Sequence, residues 1–385
     1  MTYPRLLGLI SLLVHFACSP DPGLESSETQ SDTASASTGS GGDEGDLLEW
    51  AITLDGCGHA YGVAPRGDDS VIIGEVDGVP TAIRVDKAGA VIWTRAYAPD
   101  VSLYAIHEQT EGFLLAGDAA DDTGAVIAID DDGEVLTQIA GIGVAPAGLF
   151  GVAGISGTGD FAVTGYTDNS DLLVQRFSVD GVGAPAWDAP SGGYAPAIGF
   201  AARAHPSGVA VCGRSPALEG GRSWTAVYDP SGQQLWEAEG PQAGDGAFSD
   251  CWDMSVAPSG AVAVVDSGYT GARIVLYDAG GGITWELAEG NTGAQAVDVA
   301  ADGRVFVGGW SAEADATPFR SHSVGEKAGW VVEIVDGQVL RQAPAAAPLS
   351  LRDLRVHASG AVTAVGDLES DSSCPQIWIG RYDFG

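Results

Sequence analysis

Positively charged side chains are scarce in this chain, and several of them recur at one position of a repeated pattern. The sequence holds 17 Lys and Arg against 52 Asp and Glu. The repeats are aligned on the loop that follows this position, and the third repeat is left open because its register is not fixed. The position is then occupied by Gly62, His107, Arg203, Ser255, Asp298 and Arg355. Close by, on the side where the segments begin, stand His59, Asp253, Arg352 and Asp353. Converging Arg and His side chains would predict a site for a small polar or anionic ligand.

The alternative is that these residues satisfy one another. Arg203, Asp298 and Arg355 would then pair across a water-filled space and bind nothing. Catalysis would require two converging carboxylates, or a His–carboxylate pair, with shifted pKa values. His59, Asp253 and Asp353 are the residues placed to form such a set.

Sequence signatures of catalysis and metal binding are missing. The chain has no Gly-x-Ser-x-Gly, no His-Glu-x-x-His and no P-loop. Asp-Asp-Asp-Gly at 130–133 is too short for a calcium-binding loop and reads as a plain turn. No Cys-x-x-Cys or His/Cys cluster has zinc spacing. We therefore predict no catalytic residue, no metal and no cofactor.

The elements that must position these residues repeat with a period of about 47 residues, which lies in the range of propeller blades. Each repeat has four apolar segments. The first ends at a loop such as Ala-Pro-Ser-Gly at 257–260, and the second often closes on Gly, as at 71–74. The third is β-branched and often ends in Asp, as at 81–86, and the fourth often carries Trp, as at 282–285. Four short strands repeated in tandem predict a β-propeller, in which radial packing buries both faces of each sheet.

The repeats begin near residues 57, 101, 149, 198, 247, 294 and 349, which predicts seven blades. The last repeat has only three strands, whereas the segment at 47–56 matches the fourth strands of other repeats. We therefore expect the N-terminal strand to complete blade seven and close the ring. Residues 47–385 would form one all-β domain, with a monomer as the expected state. The first strand of each blade lines the central channel, so the polar residues described above predict a ligand site at its mouth.

Asp-x-x-Gly-x-x-x-Trp occurs three times, at 86–93, 229–236 and 278–285. Asp can accept bonds from its own turn, Gly supplies a positive φ, and Trp then packs between blades. The motif resembles the tryptophan-docking repeat of quinoprotein propellers and of a related outer-membrane assembly lipoprotein, although Asp lies one residue closer to Gly here. The resemblance implies the fold and the packing between blades. The residues that hold the quinone in those enzymes are not recognisable, so no quinone is expected.

The beginning of the chain predicts export. Arg5 precedes an apolar run from Leu6 to Ala17, which is too short to span a membrane. Residues 18–46 are rich in Ser, Thr, Gly and acidic residues and almost lack large apolar side chains. Such a segment cannot offset its ordering entropy, so we predict a disordered tether.

The end of the apolar run, Leu-Leu-Val-His-Phe-Ala-Cys, resembles the lipobox of bacterial lipoproteins. His15 and Phe16 stand where that family prefers Leu and a small residue. The resemblance implies that residues 1–17 are a signal peptide and that Cys18 is lipidated. Ser19 would favour the outer membrane, with the domain facing the periplasm or the cell surface. Cleavage one or two residues away without lipidation is the alternative.

The other four cysteines form an even set, which in an exported protein predicts disulfides. Three pairings are possible on paper. In the propeller register, Cys57 and Cys251 begin the innermost strands of blades one and five. Cys212 and Cys374 lie at or beyond the end of the second strands of blades four and seven. These locations share a face, which predicts Cys212–Cys251 and Cys57–Cys374, the latter clamping the ring closure.

The net charge of −35 leaves no basic stripe for nucleic acid. The loop at 309–329 is longer than its counterparts and carries Phe319, Arg320, His322 and Lys327. It predicts a partner surface, with a tolerated insertion as the alternative. These features favour a non-enzymatic binding or scaffold lipoprotein of the cell envelope, which holds an envelope protein or a small polar ligand. The alternative is an exported propeller enzyme acting on a sugar or a small polar substrate.

Overall fold

In the computed structural model, the described residues are 47–98, 100–143, 145, 147–167, 171–178, 187–188, 198–215, 222–240, 249–268, 271–290, 292–311, 328–345, 349–368 and 374–385. Three predictions from the sequence fall outside them. They concern the signal peptide at 1–17, the tether at 18–46 with Cys18, and the partner loop with Phe319, Arg320, His322 and Lys327.

The regular elements of the described residues are β-strands, arranged in seven four-stranded antiparallel sheets. The strands of each blade are given from the innermost outward. Blade one consists of β2 (Gly58–Arg66), β3 (Asp69–Val76), β4 (Val79–Val85) and β5 (Val91–Ala96), and blade two of β6 (Val101–Gln109), β7 (Gly112–Ala119), β8 (Gly124–Ile129) and β9 (Val135–Ile142). Blade three consists of β10 (Gly148–Gly154), β11 (Phe161–Thr167), β12 (Asp171–Phe177) and β13 (Trp187–Asp188), and blade four of β14 (Ile198–His205), β15 (Gly208–Ser215), β16 (Arg222–Tyr228) and β17 (Gln234–Glu239). Blade five consists of β18 (Ser249–Val256), β19 (Val262–Gly268), β20 (Gly271–Tyr277) and β21 (Ile283–Gly290). Blade six consists of β22 (Thr292–Val299), β23 (Val305–Ser311), β24 (Ala328–Val335) and β25 (Gln338–Pro344). Blade seven consists of β26 (Leu349–Val356), β27 (Val362–Leu368), β28 (Gln376–Tyr382) and, outermost, β1 (Leu48–Thr53).

The first and last strands of the chain close the ring. β1 pairs antiparallel with β28, with Ala51 opposite Gly380 and Ile52 opposite Ile379. Each innermost strand contacts those of the two neighbouring blades, and β26 of blade seven contacts β2 of blade one. The prediction of a seven-bladed β-propeller closed by its N-terminal strand is confirmed.

The core lies between blades rather than in one central cluster. Seven clusters of buried apolar residues occur, one at each interface between adjacent blades. Between blades one and two, Ile73 and Val71 pack with Phe113 and Leu115. Full burial of such a side chain stabilises the fold by about 1.5–3 kcal/mol. The short β-branched segments of the sequence supply these faces, because alternate residues of a strand point to opposite sides.

Tryptophans of the outermost strands pack onto the next blade. A Cβ atom on Gly89 would lie 3.0 Å from the Trp50 ring, and Gly89 has a φ of 85°, so both space and conformation require glycine. The Trp50 indole donates a hydrogen bond of 2.8 Å to the Lys87 carbonyl. Trp93 and Trp236 make the same contact with the following blade. The packing role predicted for these tryptophans is therefore visible in the structure.

The four cysteines lie at disulfide distance in the expected pairs. The sulfur atoms are 2.07 Å apart in Cys57–Cys374 and 2.09 Å apart in Cys212–Cys251. The first pair joins blades seven and one, and the second joins blades four and five.

Candidate functional site

Each innermost strand carries a β-bulge at the same register near its beginning. A bulge re-aims the side chain of its extra residue. From blade one to blade seven the bulged residues are Tyr61, Tyr104, Phe150, Phe200, Trp252, Gln295 and Arg352. We refer to the five aromatic residues Tyr61, Tyr104, Phe150, Phe200 and Trp252 as the aromatic collar.

The collar is a continuous row of rings. Successive ring centroids from Tyr61 to Trp252 are 5.5, 5.5, 5.8 and 5.3 Å apart. These spacings lie in the range of favourable aromatic pairs. The collar lines a small cavity of about 80 Å³ that opens to solvent, and Gln295 and Arg352 complete the ring on blades six and seven. Trp252 is 40% exposed, which is high for so large an apolar side chain.

The same cavity is also lined by four buried or largely buried charged side chains, Arg203, Asp253, Asp353 and Arg355. Arg203 donates to Asp253 over 2.5 Å. Arg355 lies 2.8 Å from Asp353 and 3.3 Å from Asp253 through one guanidinium nitrogen, Nη1. We refer to these four residues as the charged floor. Its positive and negative groups are matched in number and bonded to each other.

The floor carboxylates also hold neighbouring blades together. Asp253 Oδ2 accepts a hydrogen bond of 3.0 Å from the Val297 amide of blade six. Asp353 Oδ2 accepts one of 2.9 Å from the Val63 amide of blade one. These bonds satisfy backbone donors that would otherwise be buried without partners.

A second pair of such bonds lies farther along the innermost strands. Asp298 Oδ2 accepts a hydrogen bond of 2.7 Å from the Val356 amide, and Ser255 Oγ accepts one of 3.1 Å from the Val299 amide. The Ser255 hydroxyl donates to Asp298 Oδ1 over 2.5 Å. Asp298 thus bonds to backbone and serine rather than to an arginine.

Burial dominates the electrostatics of these groups. It raises the pKa of Asp253, against the opposing effect of Arg203. It raises the pKa of Asp353 well above its usual range, and the nearby Asp253 charge raises it further. Burial likewise raises the pKa of Asp298 to about 6. It would lower the pKa of Arg203, but the carboxylates around that guanidinium raise it instead.

The rim of the mouth on blades seven and one holds an ion-paired group that includes Asp367. This carboxylate accepts hydrogen bonds from Arg352 Nε over 2.9 Å and from the Ala60 amide over 3.0 Å, and it lies 3.2 Å from His59 Nδ1. Burial alone would raise the pKa of Asp367, but the His59 hydrogen bond and the Arg352 charge lower it. The same hydrogen bond raises the pKa of His59.

Of the residues singled out in the sequence, Arg203, Asp253, Arg352, Asp353 and Arg355 line the mouth and His59 lies at its rim, whereas Ser255, Asp298 and His107 lie farther along the channel. His107 has the most different surroundings. It lines a separate cavity of about 570 Å³ with residues of the loops that follow β6 and β10, at the other end of the channel. Burial and the charge of Arg203 lower the pKa of His107 to about 4. Its imidazole is therefore neutral at physiological pH.

The sequence alignment places Gly62 at the same repeat position as His107 and Arg203, and this placement is wrong. We refer to this repeat position as the row of His107. Ala-Pro-Arg-Gly at 64–67 looks like the loop Ala-Pro-Ser-Gly of other blades, but here its first three residues continue β2. Ala64 pairs with Val71 and Arg66 with Asp69, so the turn falls at Gly67 and Asp68. Blade one therefore contributes Ala64 to this row. In blade three the equivalent residue is Ala153.

The sequence reasoning missed the aromatic collar and Asp367. The signal for the collar was present, because the residue three places before the row of His107 is aromatic in each of blades one to five. The misplaced loop of blade one shifted Tyr61 out of line and hid the pattern. Asp367 lies on a second strand, outside the positions compared.

Comparisons with known proteins are consistent with the fold and add no activity. No protein-family model matches the chain, and no curated protein matches it. Among solved structures, it is similar to one described as the Dos1 propeller, with a TM-score of 0.52 and 9% identity over 87% of this chain and 94% of that chain. An identity this low shows the fold alone. Fold and mouth together define a seven-bladed β-propeller with an aromatic-rimmed channel.

Within the part of the chain that the structure describes, no helix has the length and apolar character needed to cross a bilayer.

Proposed function

We propose that this protein is a non-enzymatic binding protein that holds a small ligand at the channel mouth, in contact with the aromatic collar. The observation that carries the proposal is the row of five aromatic side chains over a floor of paired charges. Ligand sites are concave, rich in aromatic side chains and equipped with a few polar groups. Rigid strands present this surface, so little ordering is needed when a ligand binds.

The bonding of Asp253 and Asp353 supports binding over catalysis. A general base needs an oxygen within reach of the substrate proton. Asp253 offers Oδ1 to Arg203 and Oδ2 to the Val297 amide. Asp353 offers Oδ1 to the Leu354 amide and Oδ2 to the Val63 amide. All four oxygens are engaged, and three of them bond to a neighbouring blade, which is a structural use of the pair.

A thermal-shift screen of small molecules tests the proposal. We compare the wild type with a mouth variant, Phe200→Ala/Trp252→Ala. The matched control is Ile92→Ala/Leu340→Ala, which removes exposed apolar side chains from outermost strands (50% and 62% exposed). Compounds that raise the melting temperature of the wild type and the control should leave the mouth variant unchanged, since only a protein that binds the ligand is stabilised. Equal shifts in all three proteins would contradict binding at the mouth.

We also propose that the protein is an exported lipoprotein, held at the outer membrane through Cys18 with residues 18–46 as its tether. The lipobox resemblance supports this proposal, as do two cysteine pairs at disulfide distance, since disulfides persist in oxidising compartments. The Cys18→Ser variant should leave the membrane fraction and appear in the soluble periplasmic or extracellular fraction. An unchanged distribution between membrane and soluble fractions would contradict lipid anchoring.

A further inference from the structure

The charges at the mouth limit what the ligand can be. An anion would have to compete with Asp253, Asp353 and Asp367 for guanidinium groups that these carboxylates already bind. Breaking a buried pair leaves an uncompensated charge and is strongly destabilising. An anionic ligand, which the arginines alone would suggest, is therefore disfavoured.

A cationic ligand meets the opposite difficulty. The three guanidinium groups of Arg203, Arg352 and Arg355 line the same cavity, and like charges repel. The cavity-lining carboxylates, Asp253 and Asp353, are already paired. Paired charges of both signs favour a ligand without net charge.

One polar atom at the mouth has no partner. Gln295 lies in the ring of bulged residues between Trp252 and Arg352, and its Oε1 is buried without a hydrogen bond among the described residues. A buried acceptor left unpaired costs about 1–3 kcal/mol. If the partly exposed side chain turns its amide toward the cavity, a ligand hydroxyl that donates to Oε1 would recover this energy, and the amide nitrogen offers two donors in return.

The collar and Gln295 together require two properties in one molecule. The rings of the collar favour an apolar face, whereas Gln295 requires a hydroxyl at the edge of the same ligand. A pyranose sugar has both, since its C–H groups form apolar patches and its hydroxyls lie around the ring. The enclosed part of the mouth is only about 80 Å³, well below the range for sites that surround a whole ligand, so one face or edge of a sugar residue would enter it while the rest stays at the open rim.

We propose that the ligand of the mouth is a neutral sugar residue, seated with a C–H face on the aromatic collar and a hydroxyl donating to Gln295 Oε1. This inference rests on the proposed function, because it names the ligand class of the same site.

Calorimetric titration of the full chain tests the inference. The probes are the methyl pyranosides of glucose, galactose, mannose and N-acetylglucosamine, with choline chloride as a cation and sodium benzoate as an aromatic anion. At least one glycoside should bind, and Gln295→Leu should weaken that binding about tenfold, the effect expected for loss of one hydrogen bond. The matched control is Gln138→Leu, on the exposed face of the outermost strand β9, which should bind like the wild type.

A second variant keeps the test decisive if Gln295→Leu folds poorly. Trp252→Ala changes a rim side chain that is 40% exposed, so the fold should tolerate it while the affinity for the glycoside falls. Choline or benzoate binding that depends on Trp252, with no glycoside bound, would overturn the sugar assignment and leave the mouth as a ligand site. If no glycoside binds, or if a glycoside binds both variants as tightly as the wild type, the sugar inference is contradicted. The proposed function is then decided separately by the thermal-shift screen.

Discussion

The two sides of the channel wall are built differently. Directly after the bulge, blades one to four carry Gly62, Ala105, Gly151 and Ala201, whereas blades five and seven carry Asp253 and Asp353. Blade six carries Ala296 at this position, and its bridging carboxylate, Asp298, lies two residues further on. We call blades one to four the small-residue side and blades five to seven the acidic side. On the small-residue side backbones come close: a Cβ on Gly151 would lie 2.6 Å from the Ala202 nitrogen. On the acidic side, carboxylates bridge to the amides of the next blade.

The difference between the two sides explains why arginines line this channel. Bridging carboxylates are buried, and a buried charge requires a partner. Arg203 and Arg355 supply it, so their presence follows from the way the acidic side is joined. Both cysteine pairs lie at the borders between the two sides, Cys212–Cys251 between blades four and five and Cys57–Cys374 between blades seven and one.

The largest expected effect concerns these borders. In the chain-entropy model a disulfide stabilises more when it closes a longer loop. Cys57–Cys374 spans 317 residues and Cys212–Cys251 spans 39. Replacing both cysteines of a pair by Ser should lower the free energy of unfolding by about 6 kcal/mol for the first and about 4 kcal/mol for the second. Urea unfolding measures both, and a larger loss for Cys212–Cys251 would contradict the role of Cys57–Cys374 as the ring clamp.

The next effect separates the two sides directly. Asp353→Ala leaves the Val63 amide without an acceptor and leaves Arg355 with only Asp253 as a partner, so the free energy of unfolding should fall by about 1–3 kcal/mol. Ala201→Gly changes the same register on the small-residue side and should lose only about 0.5–1 kcal/mol. Chemical denaturation of the two variants gives the comparison. Similar losses would show that the carboxylate bridge is not what joins the acidic side.

A matched pair of carboxylates on second strands sharpens the comparison. Asp118 accepts a hydrogen bond from the Leu149 amide, and Asp367 accepts one from the Ala60 amide, at equivalent positions of two interfaces. Asp367 is paired with Arg352, whereas Asp118 has no cation within ion-pair distance among the described residues. Burial raises the pKa of Asp118 to about 6, while the pKa of Asp367 is lowered.

These shifts have opposite consequences for stability. The unfolded chain loses the Asp118 proton near pH 3.9, about two units below the folded protein, so stability falls as the pH rises between these values. Asp118→Asn should therefore gain about 1–3 kcal/mol at neutral pH. Asp367 stabilises the fold above its unfolded pKa, and this contribution is lost as the pH falls through its lowered folded pKa. Asp367→Asn should lose about 1–3 kcal/mol at neutral pH. Denaturation at several pH values would refute this account if both variants changed in the same direction.

The smallest effect is expected at the rim. The His59 side chain is 42% exposed, so its pair with Asp367 is screened by solvent and His59→Ala should lose less than about 1 kcal/mol. Because the folded pKa of His59 is raised, the contribution is fully present below about pH 6.5 and disappears as the pH rises through the raised value. A loss that grows with increasing pH would contradict the ion pair.

The fold followed from the sequence because its determinants are local and repeated. Apolar segments, turn residues and the Trp–Gly spacing recur in each blade, and the unmatched strand at 47–56 pointed to the closure. The cysteine pairing followed from the same register. Long-range pairing inside the channel did not, because the partners of Arg203 and Arg355 depend on which residue follows each bulge. One misread turn at 64–67 was enough to hide the collar.

The central claim is that the aromatic collar is the surface that contacts ligand. Saturation-transfer difference NMR tests it directly: the aromatic protons of the protein are saturated, and transfer to the ring C–H protons of a bound methyl glycoside is recorded. Transfer is expected in the wild type and in Ile92→Ala/Leu340→Ala, and it should be lost in Phe200→Ala/Trp252→Ala. Equal transfer in all three proteins, or none in the wild type, would contradict it.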